Sequence, residues 1–308
     1  QAAAIASRLQ FWNSAPVICT YPFPVYRGEP LRLTSFHSSM ATVGAPEQNG
    51  FSKAAARGSG EAEDAASDPS TELGSEEEDS ASECSDSDCE DGPLPFFRED
   101  TILIFDWDDT VLPSTWISEQ GLRLDESSLV SGEQQATLQR LADSASRTLA
   151  AAKRYGKVLL VTNAEQGWIQ LSCSKFMPSL LPVLEDVKIL SARSTYEQQG
   201  VLSPFEWKYL AFESEIGAFC QPESLAAAQE EEDCSGRRKN VISFGDSAHE
   251  REALIRVTEN LQNCCTKSLK FVERPEVEQL LKEHELISSC FRHIVNHDGN
   301  LDLCIRCP

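Results

Sequence analysis

Thr101-Ile-Leu-Ile-Phe105 is an unbroken β-branched and apolar run, and it is the first of a series. Val158-Leu-Leu-Val161, Val187-Lys-Ile-Leu190, Val241-Ile-Ser-Phe244 and Leu269-Lys-Phe-Val272 follow it. Short runs that are apolar on both parities and bounded by turn residues suit strands buried on both faces of a parallel sheet. Segments of helical period lie between them. Leu138, Leu141, Ala145 and Leu149 recur at helix spacing ahead of a stop at Gly156, and 205–216, 250–261 and 275–286 read as further helices. This alternation predicts a doubly wound α/β domain over 93–308, mainly parallel, with helices on both faces. Its functional site should lie at the carboxyl ends of the strands.

The chain ahead of Pro93 has a different composition. From Glu61 to Asp91 there are fourteen acidic residues and no Lys or Arg, and Leu73 is the only larger aliphatic residue. Such a segment buries too little apolar surface to offset its ordering entropy, so 1–92 is expected to be a disordered, acidic, low-complexity tail. Residues 1–39 precede the first methionine, Met40, and are assigned no function. The 27 basic residues against 49 acidic ones, a net charge of −22, argue against nucleic acid as a partner. They argue equally against anionic membrane surfaces, and no stretch is apolar enough to span a bilayer. Eleven cysteines without regular spacing read as reduced thiols of a cytoplasmic or nuclear protein.

Chemistry-bearing residues gather where the strands end. The first run is followed by Asp106-Trp-Asp108-Asp109-Thr110, three carboxylates in four residues. Crowding them is unfavourable unless a cation compensates, and a hard divalent ion prefers carboxylate oxygens. Asp106 and Asp108 share a side in extended geometry, so one can act as nucleophile while the other handles protons. Thr162 and Asn163 end the second run with a hydroxyl, an amide and backbone donors. Gly245-Asp246-Ser247 ends the fourth run, with Glu250 one helical turn beyond.

In this order, Asp106-Trp-Asp108-Asp-Thr110, Thr162-Asn163, Lys208 and Gly245-Asp246-Ser-Ala-His-Glu250 resemble the four motifs of the haloacid dehalogenase superfamily, over roughly 98–275. The resemblance implies a Rossmann-like sheet and Mg²⁺-dependent phosphoryl transfer. It implies Asp106 as nucleophile, Asp108 as acid and base, and Thr162 and Lys208 as ligands of the phosphoryl oxygens. It places Mg²⁺ on the Asp106 carboxylate, the Asp108 carbonyl, Asp246 and Glu250, the last directly or through water. Dehalogenases and ion-pumping ATPases of that superfamily lack the second aspartate, so its presence points to a phosphatase, a phosphoric monoester hydrolase. Glu250 stands where aspartate is more usual, and Lys208 rests on its order in the chain alone.

No segment is long enough for a large cap domain. Only a flap near Pro113–Leu124 would cover the site, so a large phosphorylated substrate, a phosphoprotein first, is expected to complete its closure. A small-molecule phosphatase, a phosphotransferase and a non-catalytic phosphate- or protein-binding module are the alternatives. The oligomeric state has no mark in the sequence. His293 and His297 with Cys290, Cys304 and Cys307 are set aside as a zinc site, because the order of a zinc finger is reversed.

Overall fold

The computed structural model describes residues 17–20, 95–221 and 237–306. The remainder of the expected acidic tail, and most of the loop expected over 221–240, lie outside the described residues. The strands are β1 (Val17–Thr20), β2 (Thr101–Phe105), β3 (Lys157–Thr162), β4 (Lys188–Ser191), β5 (Lys239–Gly245), β6 (Cys264–Lys270) and β7 (Leu301–Arg306). The helices are α1 (Ser114–Glu119), α2 (Gly132–Tyr155), α3 (Trp168–Phe176), α4 (Leu181–Leu184), α5 (Ala192–Tyr196), α6 (Pro204–Cys220), α7 (Ala248–Thr258) and α8 (Val277–Val295). Among the described residues, none of these is long and apolar enough to cross a membrane.

The fold is α/β and Rossmann-like. The sheet runs β1-β7-β6-β5-β2-β3-β4, parallel throughout except for β1, which pairs antiparallel to β7. All five residues of β2 are buried, as its composition requires of a central strand. Side chains alternate between two cores. Leu103 and Phe105 join α2, α3 and α8 on one face, while Ile102 and Ile104 join α5, α6 and α7 on the other. Phe105 stacks on Phe244 of β5 with ring centroids 4.2 Å apart, locking the two central strands in register.

The chain moves outward from β2 to β3 and β4, then returns to β5 on the opposite side of β2. That reversal opens a crevice beyond the carboxyl ends of β2 and β5, the usual ligand position in such sheets. Among the described residues, only α1 and α2 separate β2 from β3, and only α5, α6 and short 3₁₀ turns separate β4 from β5. Among the described residues, no inserted domain stands over the crevice from these segments.

Gly156 does end α2, though not by a left-handed cap. Its backbone is extended, and a Cβ there would lie 2.3 Å from the Thr101 carbonyl oxygen. The glycine is required because the helix exit passes against β2. Strand β6 begins five residues earlier than its apolar run suggests, because polar residues face the interior with partners. Lys267 is buried, donating to the Val295 carbonyl at 2.6 Å and lying 4.5 Å from the Phe96 ring centroid. Asn240 donates to the same carbonyl at 3.1 Å, so the end of α8 is capped by two strand side chains. Helix α8 accordingly reaches Val295 rather than ending at Leu286.

Candidate active site

The turn after β2 is fixed from several directions. The Asp106 N–H continues the ladder to the Phe244 carbonyl at 2.9 Å, and Trp107 buries its ring in the core with its indole N–H on Ser172 Oγ at 3.1 Å. Asp109 takes a left-handed backbone, φ 52°, and its N–H reaches the Leu112 carbonyl at 2.7 Å. Its carboxylate accepts from the Ser114 hydroxyl and, at 2.8 Å, from the Thr115 N–H at the start of α1. Asp109 therefore builds the turn. His284 secures the turn from beneath. Its Nε2 is 2.9 Å from the Thr110 carbonyl and its Nδ1 is 3.1 Å from the Thr148 hydroxyl. A carbonyl can only accept, so Nε2 carries the proton. Burial holds this imidazole neutral, with its pKa lowered to about 4.

Lys208 projects from the first turns of α6 into the space between the strand ends and is fully buried. Its ammonium donates to Asp106 Oδ1 at 2.7 Å and to the Val161 carbonyl at 2.9 Å, and lies 3.2 Å from Glu250 Oε1. Burial disfavours the charged amine, yet the two carboxylates outweigh it and hold the lysine protonated above its ordinary range. The lysine that had only its order in the chain to support it is the one beside Asp106. Lys188 pairs with Glu215 at 2.6 Å, and Lys175 donates to the carbonyls of Asp125 and Ser128.

Asp106, Asp246 and Glu250 offer oxygens that all lie within 4.8 Å of one another, the only such metal-capable group among the described residues. The described residues of the His/Cys pattern near the C-terminus form no further such group; Cys290 and Cys304 are buried free thiols, and Cys307 is outside the described residues. Glu250 is held by the start of α7: Oε2 accepts from the Ser247 N–H at 3.1 Å and from its hydroxyl, closing a capping box. Gly245 makes room for it, since a Cβ there would sit 2.5 Å from Glu250 Cγ.

The electrostatics of this cluster are unbalanced. Burial raises Asp106 to a pKa of about 7 despite Lys208, with Glu250 and Asp108 adding to the rise. Burial, then the charges of Asp106 and Glu250, raise Asp246 to about 8. Glu250 is also penalised by burial, but Lys208 and the Ser247 hydrogen bonds bring it below its ordinary value. One lysine cannot neutralise three carboxylates, and Asp246 has no hydrogen-bond partner among the described residues. The donor set, all hard oxygens with an excess of negative charge, fits a divalent cation such as Mg²⁺.

Asp108 leans away from the lysine. Thr162 donates to its Oδ2 at 3.0 Å and the Trp168 indole N–H to its Oδ1 at 2.9 Å. Burial raises its pKa, against these two hydrogen bonds. The sequence left no mark on Trp168: it is placed by the left-handed Gly167, φ 91°, which opens α3. Asn163 lies at the end of β3, where its amide donates to the Pro204 carbonyl at 3.0 Å. It thus ties β3 to the start of the helix that carries Lys208. The chain matches no family model and no curated protein.

Proposed function

We propose that the chain is a Mg²⁺-dependent phosphatase that hydrolyses phosphate monoesters through an aspartyl-phosphate on Asp106, as its resemblance to the haloacid dehalogenase superfamily implies. One observation carries the reading. Buried Lys208 sits on a carboxylate at the end of the central strand, within a triad able to take a divalent cation. A carboxylate attacks an anionic phosphate poorly unless repulsion is removed, and a fixed ammonium removes part of it. Mg²⁺ would be held by Asp106, the Asp108 carbonyl, Asp246 and Glu250, the last directly or through water, and when bound would supply further charge neutralisation at the phosphoryl group.

The residues then divide the work. A carboxylate oxygen of Asp106 bonds to phosphorus as the ester P–O bond breaks, and Asp108 gives its proton to the departing oxygen. Asp108 next takes a proton from water, whose oxygen attacks phosphorus. The P–O bond to Asp106 breaks, and phosphate leaves with the carboxylate restored. Lys208 and Thr162 steady the phosphoryl oxygens, and Glu250 orients Lys208. With no inserted domain over the crevice among the described residues, a phosphoprotein remains the favoured substrate class. The direct test is hydrolysis of an aryl phosphate by the full chain and by Asp106→Asn. Release should require both Mg²⁺ and Asp106; equal, substantial rates in wild type and variant would overturn the reading.

Two further outcomes follow from the geometry. Trp168→Phe keeps the ring and removes one hydrogen bond to Asp108, so kcat should fall about tenfold with KM nearly unchanged. The loss should be greater for alkyl than for aryl esters, because alkyl leaving groups need the proton more; a uniform loss would assign Trp168 a packing role. Mg²⁺ binding should release protons and strengthen between about pH 6 and pH 8. The sign follows from the raised carboxyls. In the metal-free protein, Asp106 and Asp246 contribute stability below their unfolded pKa that is lost as pH rises through about 7 and about 8. Protons therefore compete with the cation below those values. Thermal unfolding with and without Mg²⁺ at both pH values reads this, and a shift in Tm independent of pH would contradict it.

A further inference from the structure

Helix α8 carries none of the triad, yet two consecutive residues in its second turn reach both loops that do. His284 Nε2 donates to the Thr110 carbonyl at 2.9 Å, two residues beyond Asp108. Glu283 Oε1 accepts from the Val272 N–H at 2.8 Å. The neighbouring Phe271 N–H bonds the Gly245 carbonyl, also at 2.8 Å, one residue before Asp246. Successive helical residues project about 100° apart, so a single turn can engage two loops at once. The Phe271 ring packs between them, edge-on to His284 with centroids 5.8 Å apart and edge-on to Phe244 at 6.5 Å.

Both residues are fully buried, and a carboxyl and an imidazole enter such a place unfavourably unless they satisfy something there. What they satisfy is the backbone of the two loops. Burial raises the Glu283 pKa to about 8 and lowers that of His284 to about 4, so at pH 7 the pair is largely uncharged. Its contribution to a cation is therefore position, not field. Asp246 has no hydrogen-bond partner among the described residues to hold its carboxylate, so the backbone on either side decides where it stands. Mg²⁺ requires near-octahedral oxygens at about 2.0–2.1 Å, whereas Ca²⁺ accepts looser sets at about 2.3–2.6 Å. Loops free to drift apart would favour the larger ion.

Resting on the metal-dependent reading of the triad, we propose that Glu283 and His284 are positioning residues. They hold the Asp106 and Asp246 turns at a fixed separation and so make the site selective for Mg²⁺ over Ca²⁺.

The test reads ion binding without substrate, by calorimetry on the full chain at pH 7, with Mg²⁺ and with Ca²⁺. His284→Leu and Glu283→Met each release one loop and change little charge at that pH. Each should weaken Mg²⁺ binding about tenfold or more and Ca²⁺ binding about twofold or less. His284→Gln keeps a donor toward Thr110 and Glu283→Gln keeps an acceptor toward Val272, so both should stay within about twofold of wild type. Ile294→Ala, buried near the far end of α8, should lower Tm and leave both affinities in place, which separates lost stability from lost position. Should His284→Leu fail to fold, Glu283→Met against Glu283→Gln decides. Equal weakening of the two ions, no weakening, or the same change in Ile294→Ala would overturn the brace alone. A wild-type chain that binds neither ion would remove the metal site and the brace together.

Discussion

Lys208→Met is expected to cost about 3–5 kcal/mol of stability near pH 8, and much less near pH 5. The variant fills the same buried space with apolar atoms but leaves Asp106 and Glu250 buried without their shared cation. Burial then dominates, and both carboxyls take up protons at a higher pH than in the wild type. Asp106 moves further above its unfolded pKa, and Glu250 rises from below its own, so the variant loses stability as pH rises through the raised values and keeps it below them. Denaturant unfolding in chelator at the two pH values measures this, and a pH-independent penalty would mean that lost packing, not uncompensated charge, is responsible. Activity should fall by about 10²–10³ even where the variant is folded, because a preorganised charge at the phosphoryl oxygens has gone.

Asp108→Asn should have a comparable effect on turnover and a small one on stability. The amide has nearly the shape of the carboxylate, but it accepts at only one atom, so it keeps one of the bonds from Thr162 and Trp168. Without a proton donor and acceptor at this position, kcat should drop about 10²–10⁴. The two chemical steps should suffer differently. An aryl leaving group departs without a proton, so attack by Asp106 proceeds, whereas water still lacks a base. The phosphorylated state should therefore accumulate with aryl substrates and fail to form with alkyl ones. Stopped-flow release of the phenol would show a burst in the first case. Steady release without a burst would place Asp108 outside the second step.

Much of the sheet could be read directly, because β2, β3 and β5 are buried on both faces and have few residues that are not apolar. Their ends were equally plain, since Asp106, Thr162 and Asp246 interrupt apolar runs abruptly. The second half of the sheet was obscured by satisfied polar residues. Cys264-Cys-Thr-Lys-Ser268 does not look like an inner strand until Lys267 is seen to cap α8. Asp302 hides β7 in the same way, being buried against Arg251. Strand β1 comes from the segment expected to be tail, and four residues among prolines carry no period. In the site, spacing revealed the groups proposed to do chemistry but not those that hold them. His284 and Trp168 act through the turn at Thr110 and through Asp108, contacts 174 and 60 residues away in sequence. Each looks alone like an ordinary helical residue.

The phosphoryl group itself tests the central claim most directly. The full-length Asp108→Asn protein, mixed with an aryl phosphate and Mg²⁺ and quenched in acid within the burst, should carry phosphate covalently on the peptide containing Asp106. Mass analysis of the digested protein locates it. Phosphate on another residue, or unmodified Asp106 while wild type turns over the same substrate, would contradict a mechanism built on that aspartate.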